Sequence, residues 1–328
     1  MYNKTILVTG GTGSWGHELI KRLLKESPKE IRIFSRNETV QFEMGQQFAN
    51  HDNLKFIIGD IRDKEQLHSV CKGVHYVFHL AALKHVPVCE YHPYEAIKTN
   101  IHGTQNVIEA SIQNEVEKVI YVSTDKAADP SNTYGMTKAI GEKLIIHANL
   151  QTKKTKFICV RGGNVLGSNG SVVPLFINQI KEHSRVDITD LDMTRFFLTI
   201  EEAIELLFKA TYEGRGGEIF VMKMPACRII DLAEVLIENS QNTNVQIKES
   251  GIRPGEKLSE MLLSEVESRT SICFDEDYFV VLPTIHIGGL QEYYSNYPRV
   301  TLQNYNSQQE LLKKNEIKHM LQRGGFVS

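Results

Sequence analysis

Apolar residues gather first in short runs, at 5–9 (Thr-Ile-Leu-Val-Thr), 31–34 (Ile-Arg-Ile-Phe), 54–58, 74–79, 119–122 and 157–161. Runs of that length, rich in β-branched residues and bounded by turn formers, predict buried strands. Between them the spacing turns helical. Leu19, Ile20, Leu23 and Leu24 share a face after residue 16, and Leu67 and Val70 follow Asp63, which reads as an N-cap. Residues 91–113 read as one long helix. Its interior Thr99, Asn100 and Gly103 cost stability, so a partner is expected, the strand at 119–122. Six strands alternating with helices predict an α/β fold, a Rossmann-type doubly wound parallel sheet.

From Gly162 the pattern changes. A glycine-rich loop fills 162–171, Val172-Val173-Pro174 starts a helix, and Met193 to Leu198 precede an amphipathic helix over 200–210. Ile252-Arg253-Pro254-Gly255-Glu256-Lys257 forms a further loop with site-like chemistry. These pieces predict a nucleotide-binding domain over 1–165 and a smaller α/β substrate-binding domain with a C-terminal tail over 166–328. The segment near 195–211 is expected to return to the sheet. Beyond about 265 no chemical motif is legible.

A chain of 328 residues can bury a sizeable core. Its net charge of −3 argues against nucleic acid as a partner. No apolar run approaches the roughly 18 residues needed to span a membrane, and the chain enters a strand at once without a signal peptide. The five cysteines are scattered without a C-x-x-C pair, which predicts neither a zinc framework nor a disulfide scaffold. No metal is expected, and the expected setting is a reducing cytoplasm.

Chemistry enters at three places. Gly10-Gly11-Thr12-Gly13-Ser14-Trp15-Gly16 lies between strand and helix, the context a dinucleotide fingerprint requires. Gly10 makes the turn, Gly13 admits the pyrophosphate and Gly16 allows close packing, with helix-start N–H groups facing the phosphates. The spacing is G-x-x-G-x-x-G, and outside this context it would be only a tight turn. The second strand ends in Ser35-Arg36 rather than an acid. That suits a 2′-phosphate and favours NADP over NAD, against the plainer reading of Arg36 as a solvated surface residue. Asp60 reads as an acceptor for the adenine amine or as a turn aspartate. Lys84, at the carboxyl end of the fourth strand, reads as a site cation or a surface lysine.

The third place is Ser123-Thr124-Asp125-Lys126-Ala127, followed by a helix carrying Tyr134 and Lys138 four apart on one face. For the phenol to act as a base near neutrality its pKa must fall by roughly 3 units, about 4 kcal/mol. An ammonium one turn away and an oxidised nicotinamide together can supply that. Asp125 and Lys126 read as an acid–base pair or as a neighbouring ion pair at a strand end.

With these residues in view the chain resembles the extended short-chain dehydrogenase/reductases. More narrowly it is similar to the C5-inverting UDP-N-acetylglucosamine 4,6-dehydratases of bacterial sugar pathways such as that to pseudaminic acid. The matching stretches are Thr9-Gly-Gly-Thr-Gly-Ser14, Ala81-Ala-Leu-Lys-His-Val-Pro87, Lys98-Thr-Asn100, Ser123-Thr-Asp-Lys-Ala127, Gly163-Asn-Val165, Gly170-Ser-Val-Val-Pro174, Met193-Thr-Arg-Phe196 and Ile252-Arg-Pro-Gly-Glu-Lys257. Dehydratases acting on deoxythymidine-diphosphate glucose usually carry Thr-Asp-Glu where Thr124-Asp125-Lys126 stands.

The resemblance implies a catalytic set of Thr124, Asp125, Lys126, Tyr134 and Lys138. Tyr134 would take the 4-hydroxyl proton, a neutral Lys126 of lowered pKa would remove the C5 hydrogen, and a protonated Asp125 would serve the departing C6 oxygen. It implies tightly bound NADP, held by Gly10, Thr12, Gly13, Ser14, Trp15, Gly16, Ser35, Arg36, Asp60, Ile61, Ala81, Ala82, Thr99, Tyr134, Lys138 and Val165. For UDP-N-acetylglucosamine it implies Lys84, Asn164, Val172, Thr194, Arg195, Arg253 and Glu256, the arginines gripping the diphosphate in bidentate fashion. It also implies a homo-oligomer, a dimer or hexamer built through the long helices. Two positions depart from the family pattern. Gly162 leaves a gap where a bulky residue is usual, and Trp15 stands where a smaller Phe is common. The alternatives are a configuration-retaining dehydratase or a UDP-hexosamine 4-epimerase on the same fold, and a non-catalytic NADP-binding regulator.

Overall fold

In a computed structural model, which describes residues 1–168, 170–242 and 244–327, strand β1 (Thr5–Thr9) is buried along its whole length. A continuous apolar strand is what a parallel sheet covered on both faces demands. The chain then alternates: α1 (Ser14–Leu24), β2 (Glu30–Ser35), α2 (Glu38–Gln47), β3 (Leu54–Ile58), α3 (Lys64–Val70) and β4 (Tyr76–His79). Short helices α4 (Val86–Tyr91) and α5 (Pro93–Ala96) lead through a π-turn, Ile97–His102, into α6 (Gly103–Gln113). β5 (Lys118–Val122), α7 (Thr133–Ala148) and β6 (Lys156–Arg161) complete the first half.

Among the described residues the main sheet has nine strands. Seven are parallel, in the order Ile219–Met222, β6, β5, β4, β1, β2, β3. Tyr278–Val281 and Ser271–Cys273 extend the edge in antiparallel fashion. The order reverses between β1 and β4, so a crevice opens at the carboxyl ends of these strands, where ligands bind in such sheets.

The expected cut at 165 does not match how the chain divides its cores. The helix Ile200–Glu213 packs on α1, β5 and β6. The strands at 219–222 and 271–281 also join the first core, which sequence periodicity did not assign to it. A second core gathers Val173, Phe176, Val186 and Leu232 with Ile317 and Leu321 of the C-terminal helix Lys314–Arg323. No helix among the described residues is long and apolar enough to cross a membrane.

The single helix expected over 91–113 is also corrected. It breaks at His92-Pro93 and widens into the π-turn. That widening turns buried Asn100 inward. Its Oδ1 accepts from Leu83 N at 2.8 Å, and its Nδ2 donates to Leu83 O at 2.9 Å and to Thr137 Oγ1 at 3.0 Å. The partner of this polar patch is therefore the tail of β4 and the helix α7, not the strand at 119–122.

Candidate active site

The turn from β1 to α1 sets the floor of the site. Gly10 has φ of +68°, and a Cβ there would lie 2.7 Å from Ala81 Cα, so a side chain is excluded both by conformation and by space. α1 follows Gly13 at its N-cap, where no side chain caps the helix. Gly10, Gly13, Ser14, Trp15, Gly16, Ala81, Ala82 and Val165 line one cleft of ≈ 610 Å³, and Thr12 lines an adjoining hollow of ≈ 410 Å³. Ser123 lends the cleft a hydroxyl with no protein partner among the described residues. A helix start without a side-chain cap, beside an orphan hydroxyl in a concave wall, fits a dinucleotide.

The expected adenine end is less simple. Gln41 Nε2 donates to Ser35 O and Oγ at 3.0 and 2.9 Å, and Arg36 is half-exposed, 3.9 Å from Asp60. Arg62 grips the Asp60 carboxylate from Nε and Nη2 at 2.9 and 2.6 Å. Burial works against that charge, but the Arg62 hydrogen bonds hold the carboxyl below its ordinary range. Asp60 thus reaches an adenine amine only by sharing oxygens already engaged. Ile61 is buried against Gly103, and Thr99 is buried in the π-turn, its hydroxyl without a partner among the described residues.

Past β5 the backbone keeps strand-like pairing, with Ser123 N donating to Val160 O at 2.7 Å and Asp125 N to Gly162 O at 3.0 Å. A 3-10 turn, Asp125–Ala127, follows, and Asn132 then caps α7 by accepting from Gly135 N at 2.8 Å. A Cβ on Gly135 would lie 2.3 Å from Lys126 O, so α7 can sit this close to the turn only with glycine there. Tyr134 and Lys138 both reach the cleft wall beside Thr124 and Lys126.

Lys138 is buried with its Nζ 3.8 Å over the Tyr121 ring. Burial pushes its ammonium down to about 7, only partly opposed by Glu142. Tyr134 is pushed up to about 12 by burial, against the pull of Lys126 and a hydrogen bond with Thr124. The expectation joined Lys138 to an oxidised nicotinamide, and Lys138 is not among the protein groups that lower the phenol. The side-chain cation acting on Tyr134 is Lys126, and protein groups alone leave the phenol protonated at neutrality.

The expected fall at Lys126 is also reversed. Its Nζ stands 3.0 Å from Asp125 Oδ1 and 3.3 Å from Glu260 Oε1. Burial would lower the ammonium, but the two carboxylates outweigh it and hold it above its ordinary value. The ion pair and the acid–base pair are nevertheless tautomers. One proton passing from Nζ to Asp125 gives a neutral amine and a carboxylic acid, with no charge leaving the cluster. Glu260 was not among the residues singled out in the sequence. It stands three positions past Lys257 and just before the strand Met261–Leu263, with no periodic signal to mark it; only its closeness to that loop hinted at it.

Lys84, Asn164, Val172, Arg253 and Glu256 line the same cleft, and burial lowers the Lys84 ammonium. Arg195 also reaches it, but Nη1 donates to Thr194 O and Leu258 O at 2.7 and 3.2 Å and Nη2 to Lys257 O at 2.8 Å. Its fork is engaged by backbone, whereas the other expected diphosphate arginine, half-exposed Arg253, has Nη1 4.0 Å from Glu256 Oε1. Thr194 is brought not to the cleft but behind it, its hydroxyl 2.8 Å from Ser307 Oγ. The 252–257 loop is fastened to the central turn by Lys257 Nζ on Asp129 O at 2.5 Å and by Asn132 Nδ2 on Gly255 O at 2.8 Å. Asn169 of the glycine-rich loop lies outside the described residues. The two departures from the family pattern turn out to be one exchange. The Trp15 indole lies 3.5 Å from where a Cβ on Gly162 would stand, so the larger ring occupies the space the missing side chain leaves.

Comparison with known proteins gives the same direction. A family described as polysaccharide biosynthesis proteins matches residues 6–282. An inverting UDP-N-acetylglucosamine 4,6-dehydratase of Campylobacter jejuni is 46% identical over 290 residues, covering 87% of this chain and 85% of that protein. A UDP-glucose 4-epimerase of Rickettsia rickettsii is 47% identical over 273 residues, covering 81% and 79%. The crystal structure of Pen from Bacillus thuringiensis superposes with a TM-score of 0.93 at 39% identity, covering 100% of this chain and 99% of that one.

Proposed function

Because the chain belongs to the polysaccharide biosynthesis protein family and is a nucleotide-sugar dehydratase by kinship, we propose that it converts UDP-N-acetylglucosamine to the C5-inverted UDP-2-acetamido-2,6-dideoxy-4-keto-hexose (arabino configuration). The observation that carries this reading is the Asp125–Lys126 pair, 3.0 Å apart, whose Lys126 lines the same cleft wall as Tyr134 and Lys138 while Asp125 is buried behind it. The Gly10–Gly16 turn would hold a nicotinamide dinucleotide, which when bound would accept hydride from C4 and return it to C6. Tyr134 takes the 4-hydroxyl proton as C4 is oxidised. The 4-ketone acidifies C5, whose proton goes to the Lys126 amine. Asp125 gives its proton to the C6 oxygen, which leaves as water, and C5 is reprotonated on the opposite face.

NADP is the proposed form, since Ser35 and Arg36 end β2 where NAD-binding chains place an acid. A preference for NADP⁺ over NAD⁺ that survives Arg36→Ala would remove that support. A homo-oligomer is proposed as well. Tyr91, Tyr94, Met136 and Ile140 are exposed on α4, α5 and α7, which pack together, and light scattering at the mass of one chain would count against it.

The deciding experiment is incubation with UDP-N-acetylglucosamine in D₂O and NMR of the product. A C6 methyl with deuterium at C5 in the inverted configuration is expected. An unchanged C6 hydroxymethyl would favour the second reading, a 4-epimerase, which the Rickettsia relative's name suggests and which needs only Thr124, Tyr134 and Lys138. Lys126→Ala separates the steps within the first reading. Transient reduction of the cofactor should persist while water loss stops.

A further inference from the structure

Lys126 carries one more carboxylate than an ion pair requires. Asp125 alone, 3.0 Å away, would neutralise it, yet Glu260 also stands at 3.3 Å and is 1% exposed. Burying a second carboxylate is expensive unless something else uses it. Glu260 is held rigidly, its N donating to Ser307 Oγ at 2.9 Å and its O accepting from Ser307 N at 2.9 Å. One oxygen faces Lys126, with Arg195 Nε 3.8 Å away, while Oε2 has no partner among the described residues. Both Glu260 and Lys126 line the cleft.

We propose that Glu260 is a positioning residue for the elimination step, its buried carboxylate holding the Lys126 side chain at the cleft wall and setting the charge that side chain carries. The inference rests on the dehydratase reading. The charged and titratable groups facing Lys126 are Asp125, Glu260, Arg195 and Tyr134, and Lys257 faces Glu260 in turn. Of the two anions only Glu260 comes from outside the central turn. It is the one that can be neutralised without touching the group that serves the C6 oxygen. Glu260→Gln keeps an oxygen to accept from Nζ but removes the negative charge, so the Lys126 ammonium loses its proton more readily. Glu260→Ala removes the hold altogether.

The test uses the full-length protein with the cofactor it carries. Competitive acetylation of Lys126 with acetic anhydride, read by mass spectrometry across pH, reports the charge on Nζ without substrate. In Glu260→Gln its midpoint should fall by about one pH unit or more, and the alkaline rise of water elimination from UDP-N-acetylglucosamine should move down with it. Cofactor reduction at C4 should persist. In Glu260→Ala elimination should drop by about 100-fold at every pH, and Glu260→Asp should recover part of it. An unmoved acetylation midpoint in Glu260→Gln overturns the proposal, and so does a loss of C4 oxidation that keeps step with the loss of elimination. If the parent protein forms no 4-keto-6-deoxy product, the dehydratase reading fails by itself, and the acetylation midpoint still decides whether Glu260 governs Lys126.

Discussion

Burial takes the Lys138 ammonium down to about 7 from 10.5, and this has a thermodynamic signature. Below about pH 7 both native and unfolded chains hold the proton, and the native state bears the full cost of a buried charge. Between about 7 and 10.5 the native state has released its proton while the unfolded chain keeps it, so this group makes stability rise with pH. Lys138→Met should therefore be more stable than the parent near pH 6, by an amount that shrinks toward pH 9, as urea midpoints at the two conditions would show. An advantage that grows with pH would contradict the assignment. Tyr134, Lys138 and the Asp125–Lys126 neighbours were all legible as residues, because their spacing places them on one turn and one helix face. Their charge states were not. The reversal at Lys126 comes from Asp125 together with Glu260, which lies 134 positions away by its number and meets the turn only through the fold.

Among the elements, α7 and the 252–257 loop share one fastening. Asn132 caps the helix through Oδ1 and holds Gly255 through Nδ2. Asn132→Ala should cost about 1 kcal/mol as a lost cap, measured by chemical denaturation. It should also raise the KM for the sugar nucleotide, since Arg253 and Glu256 ride on the released loop, while the NADP⁺ affinity should hardly change. Equal weakening of both ligands would show that the helix, not the loop, had been disturbed. The strand–turn–helix of residues 5–24 could be read directly, because hydrophobic period and glycine spacing agree there. The π-turn could not. Its cause is a tertiary match between Asn100, Leu83 and Thr137, which no local period encodes.

Across the whole molecule, Arg161 ties the two halves of the chain. Fully buried at the end of β6, it bonds Glu142 of α7 at 2.7 and 2.6 Å, Glu267 at 2.9 and 2.7 Å and Leu262 O at 3.1 Å. Removing it alone leaves two carboxylates facing each other in the interior. Arg161→Met should cost roughly 3–5 kcal/mol, seen as a lower urea midpoint. Adding Glu142→Leu and Glu267→Leu should restore much of that loss, and a triple variant no better than the single one would refute a purely electrostatic cause. The alternating first half announced the parallel sheet in the sequence. The return of strands 219–222 and 271–281 to it did not show, because those short apolar runs resemble any buried segment until their partners are known.

The exchange of bulk between Gly162 and Trp15 has an optical consequence. Trp15 is the one tryptophan in the chain, and its indole borders the cleft where the cofactor is proposed to sit. Reduced nicotinamide absorbs where indole emits, so the ring is a built-in energy-transfer donor whose signal has no background from other tryptophans. Mixing the NADP⁺-loaded protein with UDP-N-acetylglucosamine in a stopped-flow fluorimeter should give a dip in emission as C4 is oxidised and a recovery as the hydride goes to C6. In Lys126→Ala the dip should remain and the recovery should be lost, so that one unlabelled chain reports the order of its own chemical steps.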